Sequence, residues 1–524
     1  MRSLSLRILF FLVLTAGGVA AEPAYDLIIA GGSVYDGTGA APRRADVGVR
    51  GDTIVRIGEL SGAVAARRID ARGLAVAPGF IDLHAHIDPI ERMPDCESAV
   101  RQGVTTLLGG PDGSSPFPLG EFLARLEQIP LGANAAYLVG HGSIRSAVLK
   151  LVDRAPTAAE LEAMKSHVAQ AMREGAFGLS TGLKYLPGTF AKTDEIVALA
   201  RVAATHGGIY TSHLREEGVG LIPAVTEAIA IGREARIPVV LTHHKAIGKP
   251  AWGNSVKTLA LLDAARAEGL DIMADAYPYT ASHTSLSVLI PPWALEGGAA
   301  QYRKRADDPT QRSRLKADIV EAILTDRGGG DLRNIQFSAV TWQRDLEGRT
   351  LHDWCVERGL APTPENGADL VIEGQRRGGA SCIYHAIHED DVERILRHPQ
   401  VMVASDGRLS RPGEAAPHPR CYGTFPRVLA RYVREKKLFP LETAIAKMTG
   451  MPARRLGLAD RGRLAEGLRA DVVVFDPATV RDAATFTAPH QYPEGIPFVI
   501  VNGAVAVDAG KLTAARAGRV LRRR

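Results

Sequence analysis

The sequence predicts an α/β protein: a (β/α)8 barrel of the TIM type joined to a small β-sandwich domain built from both chain ends. Three observations carry this expectation. Short apolar runs alternate with helical stretches through the middle of the chain. The two ends share a strand-and-turn pattern that neither has the length to bury alone. Polar, metal-competent residues stand just past several of the apolar runs, where a barrel keeps its active site.

Residues 1–21 read as a secretory signal peptide. Arg2 and Arg7 precede the apolar run Ile8–Thr15, and the small residues Gly17–Ala21 end in a Val19-x-Ala21 cleavage pattern. Cutting after Ala21 removes two arginines and takes the formal net charge from +5 to +3. No cysteine follows the cut to carry a lipid, and no later stretch reaches about 18 unbroken apolar residues. The expectation is an exported protein, periplasmic or secreted, with no membrane anchor after cleavage. Hydrophobic residues at 46% and charged residues at 23% are ordinary for a globular chain. The slight basic excess comes with no Lys/Arg cluster and no nucleic-acid module, which argues against a nucleic-acid partner. Cys96, Cys355, Cys382 and Cys421 show no CxxC spacing and are too few for a disulfide scaffold.

Residues 22–75 begin YDLIIAGGSVYDG and continue in short alternating strands separated by Gly-rich turns. The same style returns in residues 456–524, with VVVF at 472–475 and an Asn502-Gly503 hairpin signal. Between them, residues 76–455 hold the barrel. Helical stretches at Ala158–Glu174, Lys192–His206, Leu221–Arg236, Val256–Glu268 and Asp390–His398 separate apolar runs such as Val104–Leu108, Ala176–Leu179, Ile237–Leu241 and Val401–Ala404. Residues 285–380 break this rhythm. They include a charged helical segment, Arg303–Thr325, and read as an insertion or lid over the barrel mouth.

The stretch AVAPGFIDLHAHID places His84 and His86 at i, i+2, which on an extended backbone puts both imidazoles on one face. Two rings side by side at a strand end can ligate one metal ion. Asp82 just before them is a candidate metal neighbour or acceptor for a ring N–H. His213 follows IYTS, His243 follows VVLT with His244 and Lys245 behind it, Asp406 follows VMVAS, and Lys184 follows AFGLSTGL.

Taken with YTSHLREEG, LTHHKAIGKPAWG, ADAYPYTA and HPRCYGTFPRVLARYV, these motifs resemble the metal-dependent amidohydrolase superfamily and, within it, the D-aminoacylase (N-acyl-D-amino-acid deacylase) family. The resemblance implies that His84, His86, His213, His243 and Asp406 are metal ligands. It also implies that Lys245, Tyr279 (with Tyr277 as the alternative) and Arg420 hold the substrate carboxylate and carbonyl. Two departures stand out. Where the family often carries a bridging cysteine, this chain has GGPDG, which places Asp112 there. Ser282-His283 replaces a Gly-Ser pair and makes His283 a candidate substrate contact.

The chemistry expected is zinc-assisted hydrolysis of a linear amide, releasing a D-amino acid from a small N-acyl substrate with a free carboxylate. Asp406 serves as ligand and as general base. A dipeptidase acting on C-terminal D-residues and a cyclic amidase of the dihydroorotase or hydantoinase type remain alternatives. Two zinc ions need a bridging anion. Lys184, carboxylated by CO2 after the fourth strand, is the first candidate for that bridge, and Asp112 is the alternative.

Overall fold

The computed structural model describes residues 24–523, so the leader assigned to residues 1–21 lies outside the described residues. Eight strands line the barrel: β1 (Phe80–Asp82), β2 (Val104–Gly109), β3 (Asn134–Tyr137, continued by Val139–Gly140), β4 (Gly178–Gly182), β5 (Ile209–His213), β6 (Val239–Leu241), β7 (Ile272–Ala276) and β8 (Val401–Val403). Neighbours pair in parallel from β1 through β8. The ring closes just past the strand ends. Gly407–Arg408 pair in parallel with Ala85–His86, and the Asp406 amide donates to the His84 carbonyl at 2.9 Å. The closing seam therefore runs through His84, His86 and Asp406.

Helices occupy Ala158–Arg173, Thr193–Thr205, Leu221–Ala235, Ser255–Ala267 and Glu389–Arg397, between successive barrel strands. The first is fixed by a reciprocal box in which Thr157 and Glu160 each accept from the other's backbone amide. The segment Arg303–Thr325, read as one helical stretch, is interrupted. Ala299–Asp307 ends where Pro309 has no N–H to continue it, and Pro309–Thr325 starts anew with Asp308 accepting from the Gln311 amide at 2.8 Å.

The two chain ends meet in one nine-stranded sheet, where Ala75–Pro78 lies beside Val472–Phe475 in antiparallel register. The sheet folds back on itself: Thr53 bridges Arg469, and the Ala470 amide donates to the Asp52 carbonyl at 2.8 Å. Strand alternation then gives the sheet two buried faces. Val76, Val472, Val474 and Ile500 point into the core of the end domain, while Ala77, Val473, Phe475 and Val499 join the barrel core. Phe475 packs at 6.4 Å from Phe80, the first residue of β1. All four cysteines are buried and unpaired.

Between β7 and β8, Ser282–Ser285, Ile335–Ala339 and Ser381–Tyr384 form a three-stranded antiparallel sheet. Helices pack on it around a separate cluster that includes Leu286, Phe337 and Trp354. This module meets the barrel mouth through His283 and Arg327.

Because the sheet shares its core with the barrel, the ends unfold together with it. Phe475→Ala is expected to lower stability by about 3–5 kcal/mol while keeping a single cooperative transition. Urea unfolding followed by far-UV dichroism and by tryptophan fluorescence checks this, and an early separate transition of the ends would contradict it.

Candidate metal centre

The strand ends place six side chains around one buried space. His84 and His86 come from beyond β1, Asp112 from the loop after β2, His213 from the last residue of β5, His243 from beyond β6 and Asp406 from beyond β8. Two groups of possible ligand atoms converge: His84, His86, Asp112 and Asp406, and then Asp112, His213 and His243. Asp112 belongs to both. Its carboxylate lies 3.4 Å from His84 Nε2, 3.6 Å from His86 Nε2, 3.8 Å from His213 Nδ1 and 3.5 Å from His243 Nε2. Asp406 Oδ1 lies 3.1 Å from His86 Nε2 and 3.5 Å from His84 Nε2.

This arrangement is held by backbone ties and by strain. Both oxygens of Asp82 are taken up by the turn that carries Asp406: Oδ1 accepts from the Ser405 amide at 2.9 Å, and Oδ2 accepts from the Ser405 hydroxyl. Asp82 thus positions the seam, and burial, only partly countered by those bonds, pushes its carboxyl up to about 6. Asp275 Oδ1 accepts from the His243 amide at 2.6 Å. Asp112, His243 and Asp406 all have positive φ, at 55°, 37° and 50°. Such backbone is sparsely populated for residues with a Cβ and persists where the surroundings over-determine it. The Asp112 loop also needs a glycine opposite it, because a Cβ on Gly182 would fall 2.1 Å from the Asp112 carbonyl oxygen.

The donor set fits metal cations. Both ring nitrogens of His84, Nε2 of His213 and Oδ1 of Asp112 are buried with no hydrogen-bond partner, an expensive state for polar atoms unless a cation satisfies them. Imidazole and carboxylate donors suit zinc. Burial would raise the Asp112 carboxyl, but His84 and His243 hold it well below the usual carboxylate range.

Two residues expected here lie elsewhere. Lys184 does not face the cluster: its Nζ pairs with Glu216 at 2.7 Å and Asp326 at 3.4 Å. A carbamate on that stem would set an anion against two carboxylates, so Lys184 is not the bridge. Tyr279 is also displaced. Its amide donates to the Tyr277 carbonyl at 3.1 Å, a tight turn through Pro278 that separates the two rings. Tyr279 packs against His418 and Arg427, whereas Tyr277 lies under Lys245 and Arg420 at 5.6 and 4.8 Å. Lys245, Arg420 and His283 do line the same cavity of ≈ 600 Å³.

Glu217 was not singled out from the sequence, although it stands four residues after His213 in SHLREEG. Its carboxylate lies 2.5 Å from Lys245 Nζ, 3.3 Å from His243 Nδ1 and 3.7 Å from His213 Nε2. Arg327, brought from the insertion, approaches the same carboxylate at 3.3 Å while buried. Nothing in its sequence neighbourhood signals that role.

The model of the amidohydrolase family matches residues 67–507. The chain belongs to that family. It is similar to the D-aminoacylase of Alcaligenes xylosoxydans xylosoxydans, at 41% identity over 95% of this chain and 98% of that protein. A D-aminoacylase structure concerned with the role of a binuclear metal centre superposes with a TM-score of 0.82 at 40% identity, covering 95% of this chain and 100% of that one. The Bordetella bronchiseptica N-acyl-D-glutamate deacylase, in complex with zinc and a phosphonate mimic of the tetrahedral intermediate, gives a TM-score of 0.82 at 39% identity over 95% and 99% of the two chains.

With Asp112 shared by both donor groups, Asp112→Ala is expected to lower the zinc retained after dialysis, whereas Lys184→Ala retains the wild-type content. Metal analysis of the purified variants checks both. Glu217→Gln, which loosens Lys245 and His243 without removing a donor, is expected to weaken metal affinity or turnover by about 10- to 100-fold.

Proposed function

We propose that this amidohydrolase releases D-amino acids from N-acyl-D-amino acids, using zinc held between His84, His86, Asp112, His213, His243 and Asp406. The observation that carries the reading is Arg420, a buried guanidinium beside the cluster whose Nε has no hydrogen-bond acceptor. A free substrate carboxylate supplies that acceptor. The similarity to the D-aminoacylase and the N-acyl-D-glutamate deacylase supports the same substrate class.

Zinc bound in this donor set supplies a water of lowered pKa and a positive charge that polarises the scissile carbonyl. Asp406 takes the proton of the attacking water on its carboxylate and passes it to the departing amine nitrogen. Burial would raise this carboxyl, but Arg420, His243 and His86 together hold it well below the usual range, so it is ionised and has an open site for a proton. Arg420 Nη1 sits 2.8 Å from Asp406 Oδ2, which fixes the carboxylate anchor relative to the base. Lys245 steadies the charge developing on the carbonyl oxygen. Burial, reinforced by Arg420, lowers the His283 imidazole to about 3 and keeps it neutral. Its buried Nε2 lacks a partner and is free to contact the substrate.

We also place the enzyme outside the cytoplasm, on the pattern of residues 1–21 alone. Among the described residues no helix is long and apolar enough to cross a membrane.

The expected result is hydrolysis of N-acetyl-D-amino acids, with their L-forms, L-Xaa-D-Xaa dipeptides and hydantoins turned over far more slowly. Preference for the dipeptides or hydantoins would overturn the reading. Asp406→Asn is expected to lower kcat by about 10²- to 10⁴-fold, and near-normal turnover with metal bound would refute the base assignment.

A further inference from the structure

Substrate anchoring depends on where Arg420 points, and a side chain outside the reaction decides that. Arg420 opens the short helix Arg420–Arg427, so its own N–H has no intrahelical acceptor. His418 is fully buried, and its Nδ1 accepts from that N–H at 3.0 Å. With Nδ1 an acceptor, the ring proton sits on Nε2, which donates to the Ala281 carbonyl at 3.0 Å. Ala281 immediately precedes the strand Ser282–Ser285, and Arg420 Nη2 donates to the His283 carbonyl of that strand at 3.3 Å. One imidazole thus locks the start of the helix to the strand that the guanidinium also grips.

The end domain in turn holds this ring. Residues 482–492, between Val472–Phe475 and Phe498–Val501, run back along the segment that carries Arg420. Asp482 accepts from Arg427 Nη1 at 2.9 Å, and His490 Nε2 donates to the Ala415 carbonyl at 3.1 Å. The Phe486 carbonyl accepts from Gln336 Nε2 of the insertion at 3.0 Å. These ties set the Phe486 ring edge-on to His418 at 5.0 Å, and Tyr279 meets the same imidazole edge-on at 5.1 Å. We infer that His418 is the positioning residue for Arg420, and that the 482–492 strap keeps it in place through Phe486. The inference rests on Arg420 as the carboxylate anchor. It adds what sets that anchor, and it gives the end domain a part in substrate recognition as well as in stability.

Paired substrates test it on the zinc-loaded full chain: the N-acetyl-D-amino acid turned over fastest in the panel above, and its C-terminal carboxamide, which offers Arg420 no anion. The readout is the acid-to-carboxamide ratio of kcat/KM, expected well above one in the wild type. A displaced Arg420 also disturbs Asp406, but that effect is common to both substrates and cancels in the ratio. His418→Leu removes both hydrogen bonds and is expected to lower the ratio about 10- to 100-fold, mainly through KM for the acid. His418→Asn, whose Oδ1 keeps an acceptor for the Arg420 N–H, is expected to recover most of it. Phe486→Ala is expected to lower the ratio about 3- to 10-fold with zinc content unchanged. Equal losses on both substrates, or an unchanged ratio in His418→Leu, overturn the role of His418. An unchanged ratio in Phe486→Ala overturns the role of the strap. If the wild type does not distinguish acid from carboxamide, the anchor assignment of Arg420 fails and this inference with it. Phe486 is only half-buried, so its variant decides the question even if His418→Leu does not fold.

Discussion

The constraint on which the centre depends is a single buried carboxylate, Asp112, facing four imidazoles, with its own Oδ1 and both ring nitrogens of His84 left without a hydrogen-bond partner. An arrangement of that kind is costly in a low-dielectric interior unless cations complete it. Much of the surrounding structure reads as support for it. Asp112, His243 and Asp406 hold left-handed backbone, Gly182 clears the approach of the Asp112 loop, and Asp82 and Asp275 fix the turns that present Asp406 and His243. Glu217 adds an outer tie, joining His213 and His243 to Lys245 and to Arg327 of the insertion.

The fold places this centre on the seam where the barrel closes. Pairing past β8 and β1 brings Asp406 against His84 and His86, so the hydrogen bonds that shut the ring also set the ligand geometry. At the other end of β1, Phe80 stacks against Phe425 at 5.5 Å and meets Phe475 of the end sheet. The sheet made from both termini thereby buttresses the strand that leads into the site, through a core common to both.

Much of this was legible in the sequence because it rests on periodicity. Alternation marked the end strands, the regular exchange of short apolar runs and helical stretches marked the barrel, and His84, His86, His213, His243 and Asp406 announced themselves by following apolar runs. What was not legible depends on where a side chain points once its strand has ended. Lys184 and Asp112 both follow strands in Gly-containing loops. Only the folded backbone turns Asp112 inward and sends Lys184 to Glu216 and Asp326. The choice between Tyr277 and Tyr279 hangs on a tight turn through Pro278. Arg327 comes from an insertion whose path no local pattern reveals. Glu217 was within reach, since its spacing from His213 is that of a neighbour on one helical turn, but the segment after His213 is a loop rather than a helix.

The most direct test of the central claim is a crystal structure of the zinc-loaded protein, with anomalous scattering measured at the zinc edge. Two zinc peaks are expected, each with an Asp112 oxygen at about 2.0–2.2 Å, and an unmodified Lys184 paired with Glu216. A metal pair bridged by some other group, with the Asp112 carboxylate turned away from both ions, would contradict the account.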